Sequence, residues 1–160
     1  MSETTHPFGD NAQGTRIHPP ALAGLLLLAG LLLHLIGGHH HRIVHFHQFA
    51  GLLLVAGGVG LSFYAAAIFA ARNTTKDPYG EPAALVTVMP YTLTRNPMYL
   101  GLTIILLGFA VFFWSVAMVL APVAFYFVID RLVIPREEQV LERIFPGTYT
   151  DYQSRVRRWL

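Results

Sequence analysis

Apolar residues occur in long runs along this chain, at 21–36, 49–71 and 98–129, the last continuing with interruptions to 134. A helix rises ~1.5 Å per residue and a bilayer's hydrocarbon core is ~30 Å thick, so roughly 20 such residues cross it. The first run is slightly short for this and the second is ample. The third is too long for one upright helix, and near its middle Trp114-Ser115 supplies an aromatic ring and a hydroxyl suited to the interface. The pattern therefore predicts two short helices there, joined by a tight turn. The expected fold is all-α: a four-helix transmembrane bundle with spans at about 21–37, 48–71, 98–114 and 116–134. A flexible polar tail at 1–20, ending at Pro19-Pro20, is expected before it, and an amphipathic cytoplasmic segment at 135–160 after it.

Composition agrees with this pattern. Of 160 residues, 54% are hydrophobic and 12% charged, with a mean hydropathy of +0.48, outside the usual range of soluble domains. There are no cysteines, which excludes disulfides, thiolate catalysis and cysteine metal sites. A net charge of +2 is too small to suggest nucleic acid. The weakly basic start, with no clear cleavage site, does not read as a signal peptide. Basic residues in short loops stay cytoplasmic. Four spans place Arg16, Arg72, Lys76, Arg95 and the set from Arg131 to Arg158 on one side, with only Arg42 opposite. Both termini are thus expected in the cytoplasm, in a multi-pass protein of a bacterial inner membrane. Polar chemistry is expelled from hydrocarbon, so any site is expected between the cytoplasmic segments 72–96 and 135–160.

Two stretches there carry chemistry. In "YTLTRNPMYLG", residues 91–101, Asn96 and Pro97 read as N-cap and first helical residue: the amide oxygen can accept an orphan N–H, and proline has none to leave unpaired. The helix start is positive, with Arg95 beside it, and suits an anionic group. Tyr91 and Tyr99 offer aromatic faces to a cation or an adenine ring. The same residues also read as an interfacial belt, with Arg95 on lipid phosphates. In "IPREEQVLERIFPGTYTDYQSRVRRWL", Pro135 opens a helix with Val140, Leu141, Ile144 and Phe145 on one stripe. Glu137 shares that stripe and needs a partner, with Arg131, Arg136, Arg95 or a cationic ligand as candidates. Glu138 lies at the edge of the stripe.

"RNPMYLG" after "ALVTVMPYTLT", followed by a hairpin of apolar helices and "REEQVLERIFPGTYTDYQSRV", resembles the isoprenylcysteine carboxyl methyltransferase family, to which the phospholipid N-methyltransferases are related. The resemblance covers roughly residues 72–158. It implies an integral membrane enzyme that uses S-adenosylmethionine at the cytoplasmic face. The family's cofactor segment falls on Ala83, Ala84, Leu85 and Val86 and on Tyr91, and its Arg-His-Pro-x-Tyr motif on Arg95, Asn96, Pro97, Met98 and Tyr99. Its acidic pair falls on Glu137 and Glu138, and the arginine facing a substrate carboxylate on Arg131 or Arg136. Asn96 stands where the eukaryotic enzymes have histidine, and Met89 where glycine is usual. The implied function is methyl transfer to a lipophilic acceptor that enters from the bilayer, foremost a carboxylate of the isoprenylcysteine type. Phospholipid amines are the alternative, with Glu137 or Glu138 then taking the proton.

The remaining features support other readings. "GGHHHRIVHFH", residues 37–47, places His41 and His45 four apart but has no carboxylate or cysteine nearby, so no metal is expected. A transporter would place ionisable groups within the bilayer, where the spans offer His34 centrally and Asp130 near an end. A non-catalytic relative binding haem, quinone or a partner would draw on His34 and the histidine loop. Gly57, Gly58 and Gly60 permit close helix contact, between chains or within one.

Overall fold

The computed structural model describes residues 17–37, 45–71 and 84–160. The tail at 1–16, Arg42, Arg72, Lys76, Ala83 and most of the histidine cluster lie outside the described residues. Among the described residues there is no strand. The helices are α1 (Pro19–Ile36), α2 (His45–Ala71), α3 (Pro97–Phe112), α4 (Val116–Val128), α5 (Ile134–Ile144) and α6 (Thr148–Arg155), with a π-helical turn at Ile129–Val133 between α4 and α5.

Three of these stretches are long and apolar enough to cross a membrane: Pro19–Ile36, Phe46–Ala71 and the continuous Val116–Ile144. Helix α3, with 16 residues, spans about 24 Å and falls short of that length. The predicted turn between the last two apolar helices is present. Trp114 has φ 47°, the Ser115 N–H reaches back to the Ala110 carbonyl at 3.1 Å, and α4 begins at Val116. Leu25, Leu28, Leu32 and Leu35 on α1 and Phe46, Phe49, Leu52, Leu53 and Phe63 on α2 point outward. Such a surface would aggregate in water and is at home against acyl chains. This is a membrane protein.

Helix α2 packs along α3 through glycines spaced seven residues apart on both. A Cβ on Gly51 would stand 2.6 Å from the Phe112 nitrogen, and one on Gly58 2.6 Å from the Gly101 oxygen. Backbone therefore meets backbone, the close approach that small residues allow between membrane helices. Gly58 serves an intrachain contact, whereas among the described residues nothing lies within 4 Å of a Cβ on Gly57 or Gly60. Helix α1 packs on α4, where Gly30 faces Met118. The largest core cluster joins Ala23, Leu106, Ala121, Phe125 and Ile129 to Tyr99, with Trp159 packed against it. At the other end of α3, His34 lies against Phe113 and His47 against Trp114, with ring centroids 5.5 and 5.4 Å apart.

The expected helix start at Pro135 is bridged instead. The chain stays helical from Val116 to Ile144, with the Ile134 N–H bonding back to the Ile129 carbonyl. Proline lacks an N–H and its ring collides with the carbonyl four residues earlier, so a widened turn just before Pro135 accommodates it without breaking the helix. One extra residue in that turn rotates α5 by about 100° relative to α4. The segment at 135–160 carries α5 and α6, separated at Phe145-Pro146-Gly147, where Gly147 takes the left-handed φ of 78° that favours glycine. Val140, Leu141, Ile144 and Phe145 are each half-buried.

Candidate functional site

The start of α3, the start of α5 and the stretch after α6 converge at one end of the helices. Tyr99, in the first turn of α3, is buried, and its hydroxyl donates to Glu137 Oε1 on α5. Glu138, the next residue, accepts from two arginines. Arg95 Nη1 lies 3.1 Å from Oε1, while Arg158 grips both oxygens, Nε to Oε1 at 3.2 Å and Nη2 to Oε2 at 2.6 Å. Arg158 Nη1 also reaches Asp130 Oδ1 at 3.2 Å, to which the Trp159 indole N–H donates at 2.9 Å. Hydrogen bonds to Glu138, foremost, hold the Arg158 guanidinium above its ordinary pKa.

Backbone bonds tie the same stretch to α3. The Arg95 N–H donates to the Arg157 carbonyl at 2.9 Å, and the Arg158 carbonyl accepts from Thr94 Oγ1 at 3.0 Å and Asn96 Nδ2 at 2.9 Å. Asn96 does occupy the N-cap position ahead of Pro97, yet it makes no side-chain cap bond. Its amide is a donor here because the nearest demand is the Arg158 carbonyl. Asn96→Asp separates the two roles. Aspartate equals asparagine as a cap, so a capping residue would tolerate it. Here it removes the donor and sets a carboxylate against a carbonyl, and we expect a loss of about 1–3 kcal/mol, read as a lower thermal midpoint in detergent.

The wall beside this corner is aromatic. Tyr91 is buried, its ring edge-on to Phe69 at 5.3 Å, and its cluster with Ala65 and Val86 is flanked by Met98. Its hydroxyl donates to the Ala65 carbonyl at 3.4 Å, and its carbonyl accepts from Tyr152 at 2.6 Å. Burial, the larger cause, and the charge of Glu138 push the Tyr149 hydroxyl up to about 12; burial likewise raises Tyr91 and Tyr152. All three remain neutral at physiological pH. Met89 is joined to Pro90 by a cis peptide and does not adopt the positive φ of a glycine turn.

Of the residues singled out from sequence, Tyr91, Arg95, Asn96, Pro97, Met98, Tyr99, Glu137 and Glu138 gather at this corner, with Val86 buried behind them and Ala84 and Leu85 half-buried. Arg131 and Arg136 point outward. The Arg131 side chain is 75% exposed and 3.6 Å from Asp130, and Arg136 is exposed as well. Sequence reasoning assigned no role to Thr94, Arg158 or Trp159. The only signal for the last two was a tryptophan and paired arginines in a polar tail.

Charge and valence at the corner are uneven. Asp130 and Glu138 have arginines, but among the described residues no cation lies within ion-pair distance of Glu137, whose hydrogen-bond partner is a phenol. Arg95 Nε is buried with no acceptor among the described residues. An ionised Glu137 is undercompensated and the Arg95 donor uncommitted, so the pair fits a ligand with both a cationic and an anionic group.

A helical membrane protein with such a corner belongs to a limited set of classes, and comparison narrows it. Residues 46–148 match the phospholipid methyltransferase family, and the chain belongs to that family. Its members are membrane methyltransferases that in general use S-adenosylmethionine. An uncharacterized protein of Haemophilus influenzae (strain ATCC 51907 / DSM 11121 / KW20 / Rd) is 40% identical over 63 residues, which are 39% of this chain and the whole of that protein. No solved structure matches.

Proposed function

We propose that this protein transfers a methyl group from S-adenosylmethionine to the amine of a lipophilic acceptor that enters sideways from the bilayer. The observation that carries the reading is Glu137, a half-buried carboxylate with a phenol and, among the described residues, no cation as partner. S-adenosylmethionine supplies an activated methyl on a sulfonium, together with a carboxylate and an ammonium. Glu137 and residues 96–99 hold the cationic part, the Arg95 Nε donor suits the carboxylate, and Ala84, Leu85, Val86 and Tyr91 form the wall behind. Glu138, held by two arginines, is a weak base. With one cofactor cation beside it against the two arginines on Glu138, Glu137 remains the better acceptor for the proton an amine must lose. We place α3 as a fourth, short span, with both termini in the cytoplasm of a bacterial inner membrane, on the arginine asymmetry.

A carboxylate acceptor of the isoprenylcysteine type needs an arginine to receive it. Arg158 is engaged with Glu138, and Arg95 with Glu138 and, in this reading, the cofactor's carboxylate, which leaves the exposed Arg131 or Arg136 of those expected from sequence. The two acceptors are separable by product chemistry. Membranes carrying the protein, given methyl-tritiated S-adenosylmethionine, should label a lipid fraction with alkali-stable N-methyl groups. Label that alkali releases as methanol would mark a methyl ester and overturn the amine reading. Arg131→Ala and Arg136→Ala are expected to keep the label to within about threefold, as exposed substitutions usually do.

A further inference from the structure

We infer that Arg158 is a positioning residue of this site, bracing α5 against the start of α3 so that Glu137 meets Tyr99; this rests on the function proposed above. The Tyr99–Glu137 bond joins two helices that do not pack extensively on each other: α3 lies against α2 and α4, and α5 adjoins the π turn and α6. Something else must set their spacing, and residue 158 touches both sides. Its carbonyl takes bonds from Thr94 and Asn96, the residues leading into α3, at 3.0 and 2.9 Å. Its guanidinium holds Asp130, inside the π turn, with one nitrogen and Glu138, on α5 beyond it, with the other two.

The neighbours of Arg158 add to the brace. Trp159 donates to the same Asp130 oxygen, stacks near Tyr126 with centroids 4.8 Å apart, and packs on the core cluster that contains Tyr99. Arg95 binds Glu138 from the α3 side, and the Arg95 N–H bonds the Arg157 carbonyl. Glu138 is thus clamped from two directions while Glu137, one residue earlier, is left for the ligand. A planar fork that binds two carboxylates at once cannot be reproduced by lysine, whose ammonium is a point charge. Arg158 itself acts through Glu138 and the backbone and is assigned no contact with the methyl donor or the acceptor.

The test compares full-length wild type with Arg158→Lys and Arg158→Ala in detergent, using S-adenosylhomocysteine titration and amide hydrogen exchange over 91–99 and 133–141. We expect Arg158→Ala to speed exchange in both segments without ligand and to weaken S-adenosylhomocysteine binding roughly tenfold, with Arg158→Lys restoring part of each. Glu138→Gln should weaken binding similarly, and the double variant with Arg158→Ala should be no worse than either single one, since both break the same clamp. A lower thermal midpoint with unchanged affinity in the folded variants would make Arg158 merely structural and overturn the inference. Wild type that fails to bind the ligand, with exchange still responding to Arg158→Ala, would instead sink the proposed function and leave the brace standing.

Discussion

Glu137→Ala should abolish incorporation of label from methyl-tritiated S-adenosylmethionine while leaving the protein folded. The two halves of this result have one cause. Glu137 is a half-buried carboxylate whose only partner among the described residues is the Tyr99 hydroxyl, so its desolvation is repaid by no ion pair within the protein. Removing such a charge is neutral or stabilising for folding. Its cost falls on the cation it would hold and on the proton it would receive. Glu137→Gln keeps the shape and loses the charge, and is expected to be equally inactive; full activity in that variant would show that the charge is not used. Tyr99→Phe inverts the pattern. It leaves the carboxylate without its donor, at a cost of about 1–3 kcal/mol, and should lower transfer only roughly tenfold.

Gly58→Leu is expected to prevent accumulation of a folded protein, and Gly58→Ala to cost about 1–3 kcal/mol. The added Cβ would stand 2.6 Å from the Gly101 oxygen and 2.9 Å from the Ile105 nitrogen, backbone atoms that move only if α2 and α3 part. The site would move with them, because Tyr99 lies two residues before Gly101 and the Met98 carbonyl is held by Ser62 of α2 at 3.2 Å. Gly57→Ala is the matched control: among the described residues no atom within 4 Å opposes it, and alanine is the better helix former by about 1 kcal/mol. Fluorescence-detected size-exclusion of heated detergent extracts reads both. A Gly58→Leu variant that melts with wild type would refute the glycine seam.

The parts legible in the sequence were those set by local chemistry. Trp114-Ser115 interrupts an apolar run too long for one helix, and the turn lies there. Asn96-Pro97 can start a helix and does, since a proline ring fits the first turn whatever packs around it. Glu137 shared a stripe with apolar residues, and a carboxylate so placed needs a partner; Arg95, Arg131 and Arg136 were the protein groups expected, but the partner is the Tyr99 hydroxyl, across 38 residues. What stayed hidden depends on contacts that no spacing encodes. The Asn96 amide serves the Arg158 carbonyl, 62 residues away, instead of its own helix. The widened turn before Pro135 answers a collision that could equally have broken the helix, and only the packing of Ile129, Val133 and Ile134 in the core favours continuity. Gly58 looked the same as Gly57 and Gly60 until α3 was laid against it.

In the function proposed above, the corner formed by Tyr99, Glu137 and Arg95 binds S-adenosylmethionine. Calorimetric titration of the detergent-purified protein with S-adenosylhomocysteine, beside Glu137→Ala of equal thermal midpoint, tests it most directly. We expect saturable micromolar binding by wild type that the variant loses. Equal binding by both would place the cofactor elsewhere, and no binding by a folded wild type would contradict the claim outright.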